Sequence, residues 1–129
     1  MKKLLFLILF LAIVLAFVVK YKTQDYILLD GIGGEMNSFI WGSDTRYSEK
    51  YTDYRFSQIK IGMTEQQVIA IIGKPLSRSD FFKLSKRPED KYIVRLQYSE
   101  SPSSTHYKLR QIYLYKDKVS EIISYFYFD

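Results

Sequence analysis

Between Lys3 and Lys20 the chain carries 16 consecutive apolar residues, Leu4 to Val19, without one polar side chain. A helix apolar all round has no face for water, so this run is neither a surface helix nor a half-exposed strand. As a helix it covers about 24 Å, slightly less than a ~30 Å hydrocarbon core. Lys20, Tyr21 and Lys22 are placed to reach the far interface and make up the difference. With Lys2 and Lys3 in front, the run has the layout of a signal anchor or a signal peptide over residues 1–22. The best small-residue cleavage site, Val14-Leu15-Ala16, lies inside the apolar run, which favours the uncleaved anchor. The flanking charges slightly favour the N-terminus inside and residues 23–129 exported. The expected location is therefore a bacterial cell envelope, as an inner-membrane-anchored domain or, after cleavage, a periplasmic one.

The chain has 129 residues, room for one domain plus appendages. It has no Cys, which excludes disulfides, thiolate metal sites and lipid attached to a Cys. With a single His, His106, neither a His-based metal cluster nor a Ser-His-Asp triad is expected, and no cofactor is implied. The net charge of +5 comes mostly from Lys2, Lys3, Lys20 and Lys22. The rest of the chain is nearly neutral, and a nucleic-acid partner is not expected. Twelve Tyr and nine Phe favour strands and point to a sheet-rich domain.

Residues 23–53 read as a linker or lead-in. "DGIGGE" (30–35) reads as a flexible turn, and it lacks the last Gly of a dinucleotide fingerprint. Phe39, Ile40 and Trp41 are the residues of this stretch expected to pack. A short helix is expected near 54–60, capped by Asp53, with Phe56 and Ile59 on one face. Gly62 ends it.

"KIGMTEQQVIAIIGKP" (60–75) then carries a complete set of helix signals. Thr64 and Gln67 form a capping box, and Met63 and Val68 have the spacing of a hydrophobic staple. Val68, Ile71 and Ile72 share a face. Gly73 suits a left-handed C-terminal position and Pro75 blocks continuation. The spacing predicts a helix over 65–72, too short to stand without a sheet beneath it. The Gly-Lys pair follows the helix instead of opening it, so it is not a phosphate loop.

Three strands are expected: 91–100, with Tyr92, Val94, Leu96 and Tyr98 on one side, then 107–115 and 119–128, with "KDK" (116–118) as a tight turn. Facing is ambiguous in the last two, and the adjacent Ile122 and Ile123 suggest a bulge or burial on both sides. Residues 76–90 read as a long charged connection. Segment 74–91 holds six basic residues, among them Lys74, Arg78 and Lys83, which near a membrane would contact anionic phospholipid headgroups. Phe81 and Phe82 are more naturally core plugs than anchors. Glu89 and Asp90 read as a solvated charge run, and His106 as an exposed turn residue.

From Phe56 onwards the sequence resembles the SmpA/OmlA family, whose members are similar to BamE, the small subunit of the outer-membrane β-barrel assembly machinery. The resemblance lies in "FSQIKIGMTEQQVIAIIGKPLSRSDFF" (56–82) and "IYLYKDKVSEI" (112–122). Its marks are Ile59, Gly62-Met63-Thr64, Val68, Ile72-Gly73-Lys74-Pro75 and Asp80-Phe81. The same box occurs in the wider group of β-lactamase-inhibitor-protein-like domains. The resemblance implies an α+β fold over 54–129, two short helices packed on a three-stranded antiparallel meander (ααβββ). It also implies a non-catalytic role at the envelope, with a protein partner and anionic lipid contacted just after Gly-x-Pro. Leu76 matches that segment, and Asp80 and Phe81 match it with an offset of one residue. The family's lipidated Cys is absent, and the apolar segment stands in its place. An inhibitor or immunity-type protein of the same fold, binding an enzyme through its sheet face, is the alternative that the abundant Tyr leaves open.

Overall fold

The computed structural model describes residues 1–23, 27–85 and 87–128. The apolar run forms one helix, α1 (Lys2–Thr23), whose membrane-length window is wholly unburied by the rest of the chain. The side chains of residues 20–22, expected at the interface, lie outside the described residues, as does Lys86 of the basic segment.

The body is α+β, but its sheet has four strands where three are expected. It runs β2 (Ser77–Asp80), β3 (Ile93–Gln97), β5 (Tyr107–Tyr115) and β6 (Lys118–Tyr127), antiparallel throughout. β2 comes from the expected loop. Its sequence, Ser-Arg-Ser-Asp, has no apolar alternation because it is an edge strand beside β3. The expected strand 91–100 is also divided. Pro88–Tyr92 form a 3-10 turn that leaves Tyr92 half exposed, and after β3 the chain enters a separate ribbon, β4 (Ser99–Glu100) with β1 (Arg46–Tyr47).

Helices α3 (Asp53–Ser57) and α4 (Glu65–Ile72) arise as the local signals require. Thr52, not Asp53, caps α3, accepting from the Arg55 N–H at 3.1 Å. In α4 the capping box is complete: Thr64 Oγ1 accepts from the Gln67 N–H at 3.3 Å and Gln67 Oε1 from the Thr64 N–H at 2.9 Å. Met63 packs against the core that contains Val68, Ile72, Phe56 and Ile59. Burial of each such side chain contributes about 1.5–3 kcal/mol. Gly62, with φ +90°, donates to Val119 O at 2.8 Å, and the Val119 N–H returns a bond to Met63 O at 2.8 Å. The Gly-Met-Thr box is thereby stitched to the start of β6.

Alternation settles the facing of the last two strands. Leu96, Ile112, Leu114 and Val119 lie under α3 and α4 with almost no exposure. A register shift pairs Tyr113 with Glu121 but Leu114 with Val119, leaving Ser120 as the extra residue. The bulge thus falls at Ser120, before the Ile122–Ile123 pair, and it brings both Val119 and Ile122 to the core side. The two-residue turn at Lys116 and Asp117 has positive φ at both positions, the twist that suits a tight hairpin.

The expected linker is structured. Helix α2 (Gly31–Trp41) replaces the flexible turn and packs on β6. Gly34 is buried, and a Cβ there would stand 2.3 Å from Asp30 Cβ, so the glycine permits the close approach. Phe39, Ile40 and Trp41, the residues expected to pack, are instead exposed. What docks this stretch is polar. Lys108 contacts Glu35 at 2.8 Å, and Arg110 meets Asp30 through two bonds of 2.6 and 2.9 Å with both side chains fully buried. Tyr51 accepts from Arg110 Nε at 2.8 Å and donates to Asp53 at 2.6 Å. Burial opposes the arginine's charge most strongly, but the bonds and charge of Asp30 together with Tyr51 and Tyr47 outweigh it and raise its pKa. Burial likewise pushes Tyr47, stacked on Tyr51 at 4.4 Å, up to about 12.

Two further readings change, and one contact is new. His106 is not an exposed turn residue but is half-buried beside Phe128, at 5.1 Å between rings. Asp90 is not solvated; it is buried and accepts from Arg87 at 2.8 Å. Asp44, in the lead-in, gathers the hydroxyls of Ser101 and Ser103 and so holds the turn before β5. Those bonds lower its pKa to about 2.

Two outcomes are expected. Asp30→Ala leaves a guanidinium buried without its main partner and costs about 3 kcal/mol in urea unfolding, more than the joint Asp30→Leu, Arg110→Met change. An Asp44 pKa below its ordinary value means the loop's contact is complete above pH 3.8 and is lost as pH falls through about 2. The Ser103 amide, which donates to Asp44 at 3.1 Å, should therefore titrate by NMR with a midpoint near 2.

Candidate partner-binding surface

The surface begins where α4 stops. Gly73 caps the helix with φ +81° and ψ −171°, an extended glycine conformation and not the left-handed helical one expected. Tyr98, buried beneath, donates its hydroxyl to Gly73 O at 3.1 Å and fixes the exit direction. Pro75 follows, and Leu76 joins the sheet by donating its N–H to Gln97 O at 2.8 Å. Leu76 is half-buried on the wall of a cleft of about 580 Å³, opposite Ser48, Glu49 and Lys50. That wall comes from the lead-in and leaves no motif in the sequence.

Beyond Leu76 the predicted site residues take different roles. Arg78 points to the helix side, where two bonds of 2.8 and 3.2 Å tie it to Glu65 at the start of α4, and these raise its pKa. Asp80 is half-buried and accepts from the Phe82 N–H at 3.0 Å, starting helix α5 (Phe81–Ser85). Neither phenylalanine plugs the core: Phe81 is half-buried and packs edge-on against Tyr113 at 5.7 Å on the opposite face, and Phe82, like Lys83, is exposed. Among the basic residues, Arg78 and Arg87 are engaged in ion pairs, while Lys74, Lys83 and Lys91 have exposed side chains. Leu76 thus enters the edge strand, and Phe82 and Lys83 are exposed on α5 just beyond its end, with Arg78 and Asp80 serving as fasteners between.

The sheet's other face lacks α3 and α4, and α5 covers it only around Tyr113. Tyr115, Tyr125 and Tyr127 are exposed there, and Tyr107 and Tyr127 pair across the strands at 5.5 Å. Among the described residues no three His, Asp or Glu side chains converge as a metal site would require.

Residues 51–121 match the outer membrane protein assembly factor BamE domain. The chain belongs to this family. The match contains the Gly-Met-Thr box, α4, the edge strand and the hairpin turn, so these elements are the BamE domain's own. It leaves out α1, α2 and the β1 ribbon strand. BamE domains belong to the cell envelope, and α1 has the length and composition of a membrane anchor or signal sequence. No curated protein and no solved structure matches the chain significantly.

Gly73→Ala tests how this edge is set. A Cβ at 73 would stand 2.8 Å from Lys50 Cβ, and its φ is unfavourable for any L side chain. A loss of about 1–3 kcal/mol is expected in denaturant unfolding, with the largest amide shift changes at Lys50 and Leu76.

Proposed function

We propose that the protein is a non-catalytic, membrane-tethered interaction module of the cell envelope. Residues 1–22 tether it to the inner membrane, 23–53 lead in, and 54–129 form the binding unit on the exported side. Its partner is a protein of outer-membrane assembly, bound along the β2 edge and the adjoining cleft. The observation that carries this reading is the edge strand within the matched BamE region: β2 has a neighbour on one side only and continues into exposed Phe82 and Lys83. Unpaired strand edges beside a pocket are a recurrent peptide-docking geometry. Lys74, Lys83 and Lys91 add a weaker attraction for anionic phospholipid, about 1 kcal/mol for each that faces a membrane.

A second reading has its own observation. The helix-poor face with Tyr115, Tyr125 and Tyr127 exposed is the kind of surface by which an inhibitor or immunity-type protein would cover an enzyme.

Affinity capture of the full chain from detergent-solubilised membranes distinguishes the two. Leu76→Asp and Lys83→Glu should lower partner recovery at least tenfold while circular dichroism is unchanged. If both variants keep every partner and Tyr125→Ala with Tyr127→Ala loses it, the sheet-face reading replaces the edge reading.

A further inference from the structure

Helix α2 has two unlike faces. Gly34 and Glu35 turn inward to the sheet, Glu35 to its ion pair with Lys108. Ile32, Met36, Phe39 and Ile40, at i, i+4, i+7 and i+8, form one apolar stripe facing outward. Nothing in the described chain covers it: Phe39 is 91 % exposed, Ile32 71 % and Met36 57 %. Trp41, 63 % exposed, closes the helix at the same surface. An uncovered stripe of this size needs an occupant.

The position of the stripe says which. Seven residues, 24–30, separate the end of α1 from the start of α2. Even fully extended they reach no more than about 25 Å. The stripe also continues the apolar surface of α1, because Phe17 lines a groove of about 480 Å³ with Leu28, Ile32, Met36 and Phe39. If α1 is in the bilayer, α2 is held within that reach of its surface, and the shared groove with Phe17 makes the stripe the side that continues α1. Trp is also a residue that concentrates at the membrane–water boundary.

We propose that α2 is an interfacial helix whose Ile32–Ile40 stripe and Trp41 lie in the headgroup region of the membrane that holds α1. This rests on the uncleaved-anchor reading of α1. The inward face of α2 needs no cationic residues of its own, because its polar contacts are made with the sheet instead of water. Through Glu35–Lys108 and Asp30–Arg110 the helix then carries the whole sheet at a set orientation to the bilayer.

Trp41 is the only tryptophan, so its fluorescence reports this helix alone. The full chain is reconstituted into phosphatidylcholine–phosphatidylglycerol vesicles carrying bromine at a shallow or a deep acyl position. Shallow bromine should quench Trp41 at least twofold and deep bromine less. Phe39→Asp, at a side chain 91 % exposed, should abolish much of that quenching without changing circular dichroism or anchorage. Carbonate washing and intact mass report α1 separately. A chain that stays in the vesicles with Trp41 unquenched overturns the interfacial helix but leaves the anchor standing, and points to a protein covering the stripe. Quenching that persists unchanged in Phe39→Asp also overturns the proposal. If the mature protein lacks residues 1–16, the anchor reading fails. The released protein added to the same vesicles then decides for α2, with quenching supporting it and none overturning it.

Discussion

The contact between Arg110 and Asp30 organises the molecule. A guanidinium with no exposure sits on the core side of β5, in line with Ile112 and Leu114. Such a group is costly to bury and is tolerable only when its donors are met. Asp30 meets two, Leu109 O and Tyr51 take others, and Asp53 stands 3.7 Å away. Because Asp30 is committed to the arginine, it makes no side-chain cap for α2, and the helix is held by the sheet more than by its own start signal. The layer over the sheet thus has two halves. One is apolar, under α3 and α4; the other is polar, under α2, and admits only a chain that brings carboxylates to the right places.

That division explains what could be read from the chain. The α4 segment was legible to the residue, because cap, staple, face and stop are all local. The hairpin was legible for the same reason, through its alternation and tight turn. The β2 strand was not, since an edge strand of Ser, Arg, Ser and Asp buries too little to leave a pattern. Nor was α2, whose glycines argue against a helix and whose supports, Lys108 and Arg110, lie more than 70 residues away. The same holds for the candidate surface. Leu76 was singled out through the family resemblance, whereas the cleft wall opposite it, at Ser48–Lys50, left no signal in the sequence. Arg78 and Asp80 look like surface charges in the sequence and act as fasteners in the fold, for Glu65 and the start of α5.

Membership of the BamE family and the architecture reinforce each other at the segment after Gly-x-Pro. There the chain leaves a tightly specified helix, passes a glycine that tolerates no side chain, and opens a sheet edge. The parts that lie outside the match are those that join this edge to α1. They give one side of the cleft and the carboxylates Asp30 and Glu35 of the polar layer, whose partners Arg110 and Lys108 lie inside the match, so they modify the family unit without interrupting it.

The stitching between distant segments also sets an order of folding. Asp30 waits for Arg110, Glu35 for Lys108, Gly73 for Tyr98, and Met63 for Val119. Helix α4, at eight residues, is too short to persist before its sheet exists. Within the sheet, the β5–β6 hairpin, closed by two residues, is the long element with local pairing. The β2–β3 pairing and the Gly73–Tyr98 bond involve only residues before β5, whereas Asp30, Glu35 and Met63 find their partners only in β5 and β6. The hairpin is thus the piece on which the lead-in and the Gly-Met-Thr box both close.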